Sequence, residues 1–112
     1  MYLISWNENE GQLEASIGGH VTEAEAKVFV DGVMHELADH TGGPFTFLLD
    51  YSFVTEINQG ITDCFDLAVR YANLRGAVKT VHIAKDREQV ETLTGENLQR
   101  VLEGTLEFRL AC

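Results

Sequence analysis

The segment Phe45-Thr46-Phe47-Leu48-Leu49-Asp50 limits most strongly what this chain can fold into. It has the length of a strand, and it is nearly continuous apolar sequence, where a strand with one wet face would alternate. Such a run predicts a strand at the centre of a sheet, covered on both faces. The remaining chain must then supply flanking strands and covering helices.

It does so in a regular order. Tyr2 to Asn7 is rich in β-formers, and Leu13, Ala15 and Ile17 alternate with Glu14 and Ser16, as in a strand with one buried face. Between them Glu8-Asn9-Glu10-Gly11 reads as a turn, so the chain opens with an antiparallel hairpin, and Gly18-Gly19 ends its second strand. Thr22-Glu23-Ala24-Glu25 has the form of a capping box. It starts a helix whose stripe is Ala26, Val30, Val33, Met34 and Leu37; Thr41-Gly42-Gly43-Pro44 places its end near His40.

After the apolar strand, Ile61, Cys64, Phe65, Ala68 and Ala72 form a second helical stripe, closed by Leu74-Arg75-Gly76. Val78 to Ala84 returns to a strand. Val90, Leu93, Leu98, Val101 and Leu102 mark a third helical stretch, loosened at Gly95. Leu106, Phe108 and Leu110 alternate with Glu107 and Arg109 as an amphipathic strand at an edge. The expected order is ββαβαβαβ: an α/β fold with a mixed, largely parallel sheet and helices packed on it, joined by right-handed crossovers.

A chain of 112 residues with 45% hydrophobic content can furnish one core, so residues 1–112 are read as a single domain. No apolar run approaches the roughly 20 residues of a membrane helix. The opening MYLISWNENE lacks the basic and apolar regions of a secretory signal, so the expected location is cytoplasmic, with no transmembrane segment. Cys64 and Cys112 lack metal-type spacing and are read as reduced thiols. The net charge of −10, with no Lys or Arg before Lys27, repels a phosphate backbone and excludes nucleic acid. It suits a protein partner with a basic patch, and equally keeps a small domain dissolved.

Chemistry-bearing residues are sparse. His35 and Asp39 stand four apart on the first helix beside Glu36 and His40, but a metal site needs three or four convergent ligands, and a solvated helix end accounts for them. His20 and His82 have no nucleophile in a recognisable order, and Cys64 reads as a small core residue. Gly18-Gly19 and Gly42-Gly43 lack the following residues of a phosphate loop. The expectation is a binding protein without a cofactor, not an enzyme. Leu67, Tyr71 and Leu74 lie on a second face of the second helix, to be buried beneath a later element or left as an interaction surface; Trp6 and Tyr2 admit the same two readings.

From Phe45 to Gly60, FTFLLDYSFVTEINQG resembles the middle of STAS domains, the family named for sulfate transporters and anti-sigma-factor antagonists. Leu49-Asp50-Tyr51-Ser52, Val54, Ile57 and Gly60 follow in order the family's buried strand, short loop and helix start. The resemblance implies a regulatory, protein-binding module of bacterial signalling, pairing with a protein partner or its own copy. A Sec14-like carrier of a small apolar ligand, such as a lipid, is the alternative within the SpoIIAA-like group. In open α/β sheets the loops at the carboxyl ends of parallel strands gather the binding crevice. The candidate site is therefore Tyr51, Ser52, Phe53, Thr55, Glu56, Asn58, Gln59 and Gly60, with Tyr51 and Phe53 as exposable aromatics. Asn58 and Gln59 either orient a polar or anionic group at the helix start, or Asn58 merely caps it.

The switching antagonists carry a phosphorylatable Ser near that helix start, where this chain has Asn58-Gln59-Gly60. Incubation with a serine kinase of the anti-sigma type should leave the intact mass unchanged. A phosphate at Ser52, Thr55 or Thr62 that alters partner binding would contradict this.

Overall fold

The computed structural model describes residues 1–40, 43–89 and 104–111. Five strands form one mixed sheet whose spatial order is the sequence order. They are β1 (Tyr2–Asn7), β2 (Gln12–Gly19), β3 (Phe45–Val54), β4 (Ala77–Ala84) and β5 (Leu106–Leu110). Helix α1 (Glu23–Ala38) links β2 to β3, and α2 (Gln59–Leu74) links β3 to β4. β1 and β2 pair antiparallel, and every later neighbour is parallel. The sequence expectation for the third helix falls largely outside the described residues; residues 87–89 are helical. No described helix is long and apolar enough to cross a membrane.

Successive right-handed crossovers that always step in the same direction put their helices on one face of the sheet. α1 and α2 accordingly pack side by side, with Phe29 of α1 meeting Phe65 of α2 edge-on at 6.3 Å. Phe45, Phe47, Leu49 and Tyr51 of β3 are buried in the same core cluster as both helices. Thr46, Leu48 and Asp50, on the opposite face, are only half-buried. The central position of this strand is borne out, but its cover is one-sided: Leu48 has Glu14 and Val81 beside it in the flanking strands, and no described helix on its own face.

β3 also runs four residues beyond Asp50, to Val54. A register shift between Ser16 and Gly18 lets β2 keep pairing, with Gly18 beside Phe53 and Gly19 beside Val54. Gly19 takes φ +86°, a conformation that favours glycine.

The hairpin turn falls at residues 8–11, with Gly11 at φ +62° and its N–H donating to Glu8 O at 3.3 Å. Thr22 caps α1, its Oγ1 accepting from Glu25 N–H at 3.2 Å. The Glu25 carboxylate accepts from the Thr22 hydroxyl instead of the cap amide. α1 ends at Ala38, two residues before His40. There Arg75 donates Nε to Leu37 O at 3.1 Å, and one terminal nitrogen to Ala38 O and His40 O, both at 3.2 Å. A cation thus serves the carbonyls at the negative end of α1.

The helical stripes need four corrections. Phe29 and Val69 join the buried faces, whereas Met34 and Cys64 are only half-buried. Leu67 and Leu74 are 52% and 82% exposed, so no described element buries them, while Tyr71 packs partly against the core. β5 lies at the sheet edge as expected, buried through Leu106, with Glu107 bonded to Lys79 at 2.7 Å and to Arg109. These bonds hold the Glu107 carboxyl below its usual range.

One-sided cover predicts unequal costs along β3. Phe47→Ala should destabilise by about 3–5 kcal/mol, and Leu48→Ala, only half-buried on the face that α1 and α2 leave open, by about 1 kcal/mol. Denaturant unfolding of the two variants checks this; equal losses would mean that both faces are covered.

Candidate functional site

The candidate residues gather where β3 leaves the sheet and enters α2, at the carboxyl ends of the parallel strands. The strand's extra length divides them. Tyr51 is fully buried, its ring stacked on Phe65 with centroids 5.4 Å apart and its hydroxyl 3.1 Å from His82 Nδ1. It is therefore a core residue and not an exposable aromatic, because β3 continues and turns it toward the helices. Burial, and secondarily the Asp50 charge, push its phenol well above the ordinary tyrosine range. Ser52 is buried too, its Oγ and N–H both donating to Asp50 Oδ1, at 2.6 and 2.9 Å.

Phe53 is the reverse case, 78% exposed at the end of the central strand. A Cβ placed on Gly18 would lie 2.8 Å from the Phe53 Cβ, so the glycine on β2 makes room for this close approach. Beside it a cleft of about 580 Å³ is lined by Met1, Tyr2, Leu3, Ile17 and His20, among others.

The turn beyond is closed by short-range bonds. Thr55 donates through N–H and Oγ1 to Gly19 O, at 3.1 and 3.4 Å. Asn58 Oδ1 accepts from Ile61 N–H at 3.0 Å, so Asn58 does cap α2. Gln59 Nε2 donates to Asp63 Oδ1 at 2.9 Å, and Thr62 Oγ1 to Asn58 O at 3.1 Å. Gly60 lies so close to the Glu23 carboxylate that a Cβ there has no room while Glu23 holds its position. The first turn of α2 thus already has an anion from α1 beside it, where its partial positive charge favours one. That arrangement weighs against an external anionic group at this helix start.

Glu56 and Ile57 form one wall of a second cleft, of about 260 Å³, opposite Lys85, Asp86, Glu88 and Gln89. Sequence reasoning missed Gln89. Its Nε2 donates to Tyr51 O and Val54 O, both at 3.4 Å, and its Oε1 accepts from Lys85 N–H at 2.6 Å. Asp86 Oδ1 in turn accepts from Gln89 N–H at 3.0 Å. The signal was present in Asp86-Arg87-Glu88-Gln89, an acidic cap followed three residues later by Gln. This side chain ties the segment after β4 to the end of β3 and so shapes the rim.

The other chemical candidates separate into packing and solvent roles. His35 Nε2 and Asp39 Oδ2 stand 3.8 Å apart, both largely exposed. Among the described residues no group of three His, Cys, Asp or Glu could hold a metal ion. His40 stacks on Trp6 at 4.4 Å and bonds Gly43 O through Nε2 at 3.0 Å. Burial raises the Cys64 thiol, and Glu23 and Asp63 add to that rise while Lys27 opposes it. A raised thiol is less nucleophilic at neutral pH.

Comparison of the chain with family models, curated proteins and solved structures found no match.

The buried phenol fixes a sign for alkaline pH. Tyrosine ionises near 10 in an unfolded chain and higher in this fold, so its stabilisation is complete below about pH 10 and declines as pH rises beyond it. Tyr51→Phe should lower stability at neutral pH by about 1–3 kcal/mol, through loss of the buried hydrogen bond to His82, and flatten the alkaline decline. Thermal melts from pH 8 to 11 check both; a parallel decline in the variant would show that Tyr51 does not cause it.

Proposed function

We propose that this protein is a non-enzymatic, STAS-like regulatory module that binds a protein partner through the rim formed by Phe53, Thr55, Glu56 and Gln59. The exposure of Phe53 carries the reading. A large aromatic held out of the core at the end of the central strand resembles the anchors that dominate interface energetics. Its neighbours Met1 and Leu3, also strongly exposed, extend it into an apolar patch of the kind that marks interaction sites.

The expected partner has a basic surface. Glu56, Asp86 and Glu88 line the adjoining cleft with Lys85, in a chain of net charge −10. Rim charges of this kind steer encounter more than they hold the complex. The STAS part of the reading is supported by the Leu49-Asp50-Tyr51-Ser52 strand end and by the hairpin followed by parallel strands with helical crossovers. The missing phosphoacceptor favours constitutive binding over phosphorylation-controlled partner exchange.

A carrier of a small apolar ligand is the second reading, favoured by the apolar residues around the 580 Å³ cleft. Native mass spectrometry of the freshly purified protein distinguishes them, since a carrier retains a co-purifying mass. For the module, Phe53→Ala and Gln59→Ala should each lose the partners captured by the parent from a cell extract, with melting temperatures nearly unchanged. Normal capture by both variants would place the site elsewhere.

A further inference from the structure

The sheet has two edges, and they are defended differently. β5 carries Glu107 and Arg109, and Lys79 of β4 reaches Glu107. Charges of this kind discourage another strand from pairing there. β1 has none: Met1 to Asn7 contains no Lys, Arg, Asp, Glu or Pro.

The pairing of β1 with β2 determines which backbone groups face outward. Gly18 N–H donates to Met1 O at 3.0 Å, and Tyr2 stands opposite Ile17, so Met1 and Gly18 form a hydrogen-bonded pair. In an antiparallel ladder such pairs alternate, so Leu3, Ser5 and Asn7 turn their N–H and C=O groups toward β2. Tyr2, Ile4 and Trp6 turn theirs away from it, to the open edge.

We propose that β1 pairs antiparallel with β1 of a second copy across a twofold axis at Ile4. Only an antiparallel edge can meet its own copy isologously. The Ile4-centred register uses all the outward groups: Ile4 bonds Ile4 of the copy, and Tyr2 and Trp6 bond each other in both directions. It also sets Leu3, 66% exposed, opposite Ser5 of the copy on the open face. Charge selects the occupant as well. Two copies that each carry −10 repel over most of their surfaces, whereas β1 carries no carboxylate of its own and the nearby Glu14 is held by Asn7 Nδ2 at 3.2 Å. The product is a continuous ten-stranded sheet.

The surface involved shares Leu3 with the apolar patch beside Phe53 but does not include Phe53 itself, so Phe53→Ala should leave the dimer intact. Sedimentation velocity of the full chain should show a monomer–dimer equilibrium that shifts toward dimer as salt rises, because screening over about 10 Å at 0.1 M shrinks to about 3 Å at 1 M. Leu3→Glu, at a position already in water, should be monomeric with an unchanged melting temperature. The register is read by cross-linking in a Cys64→Ser, Cys112→Ser background. A mixture of Leu3→Cys and Ser5→Cys proteins should form the mixed disulfide dimer in preference to either homodimer. A parent that stays monomeric to millimolar concentration, a dimer that survives Leu3→Glu, or cross-linking without preference for the mixed pair would overturn the proposal.

Discussion

A line of aromatic rings holds this fold together. Tyr2 of β1 meets Phe29 of α1 at 5.7 Å, Phe29 meets Phe65 of α2 at 6.3 Å, and Phe65 stacks on Tyr51 of β3 at 5.4 Å. Tyr51 then meets His82 of β4 at 5.6 Å, and His82 meets Phe108 of β5 at 5.0 Å. Every described element except β2 contributes a ring. Each contact adds about 0.5–1.5 kcal/mol beyond the area it buries, and the offset and edge-on geometries fix how the helices lie across the strands. The line can exist only because α1 and α2 share one face of the sheet.

That one-sidedness also shapes the surface. With α1 and α2 on one face, alternate residues of the strands point to a face that carries the half-buried Glu14, Asp50, Lys79 and Glu107 around Leu48 and the buried Val81. The more apolar exposed positions lie at the margins instead: Phe53 where β3 ends, and Leu3 on the β1 edge. Both margins have their backbone positioned by β2, through Gly18 and Gly19 for β3 and through the hairpin for β1. β2 is the one described strand or main helix without an aromatic, yet it spaces both of these apolar margins.

Most of the architecture was legible in the sequence because it depends on local periodicity and local caps. Alternation at Leu13, Ala15 and Ile17, the Thr22 and Asn58 helix starts, and the glycine after Arg75 all act within a few residues of themselves. The candidate site was legible only as a place. Tyr51 and Phe53 look alike as aromatics two apart in one segment, and periodicity could not tell that β3 continues to Val54 with Tyr51 turned into the core. Likewise Gln89 reaches back 38 residues to Tyr51 O, a contact that no local pattern encodes.

By itself the sequence determined the α/β class, the order of the described elements and the centrality of Phe45 to Asp50, since apolar spacing and capping chemistry specify an element wherever it sits. Only the tertiary structure decided that α1 and α2 cover this strand on the same face, and which of the described aromatics are interior. Those outcomes depend on where a strand's neighbours lie in space. A register shift at Gly18 and the shared side of two crossovers are relations between segments, carried by no single stretch of residues.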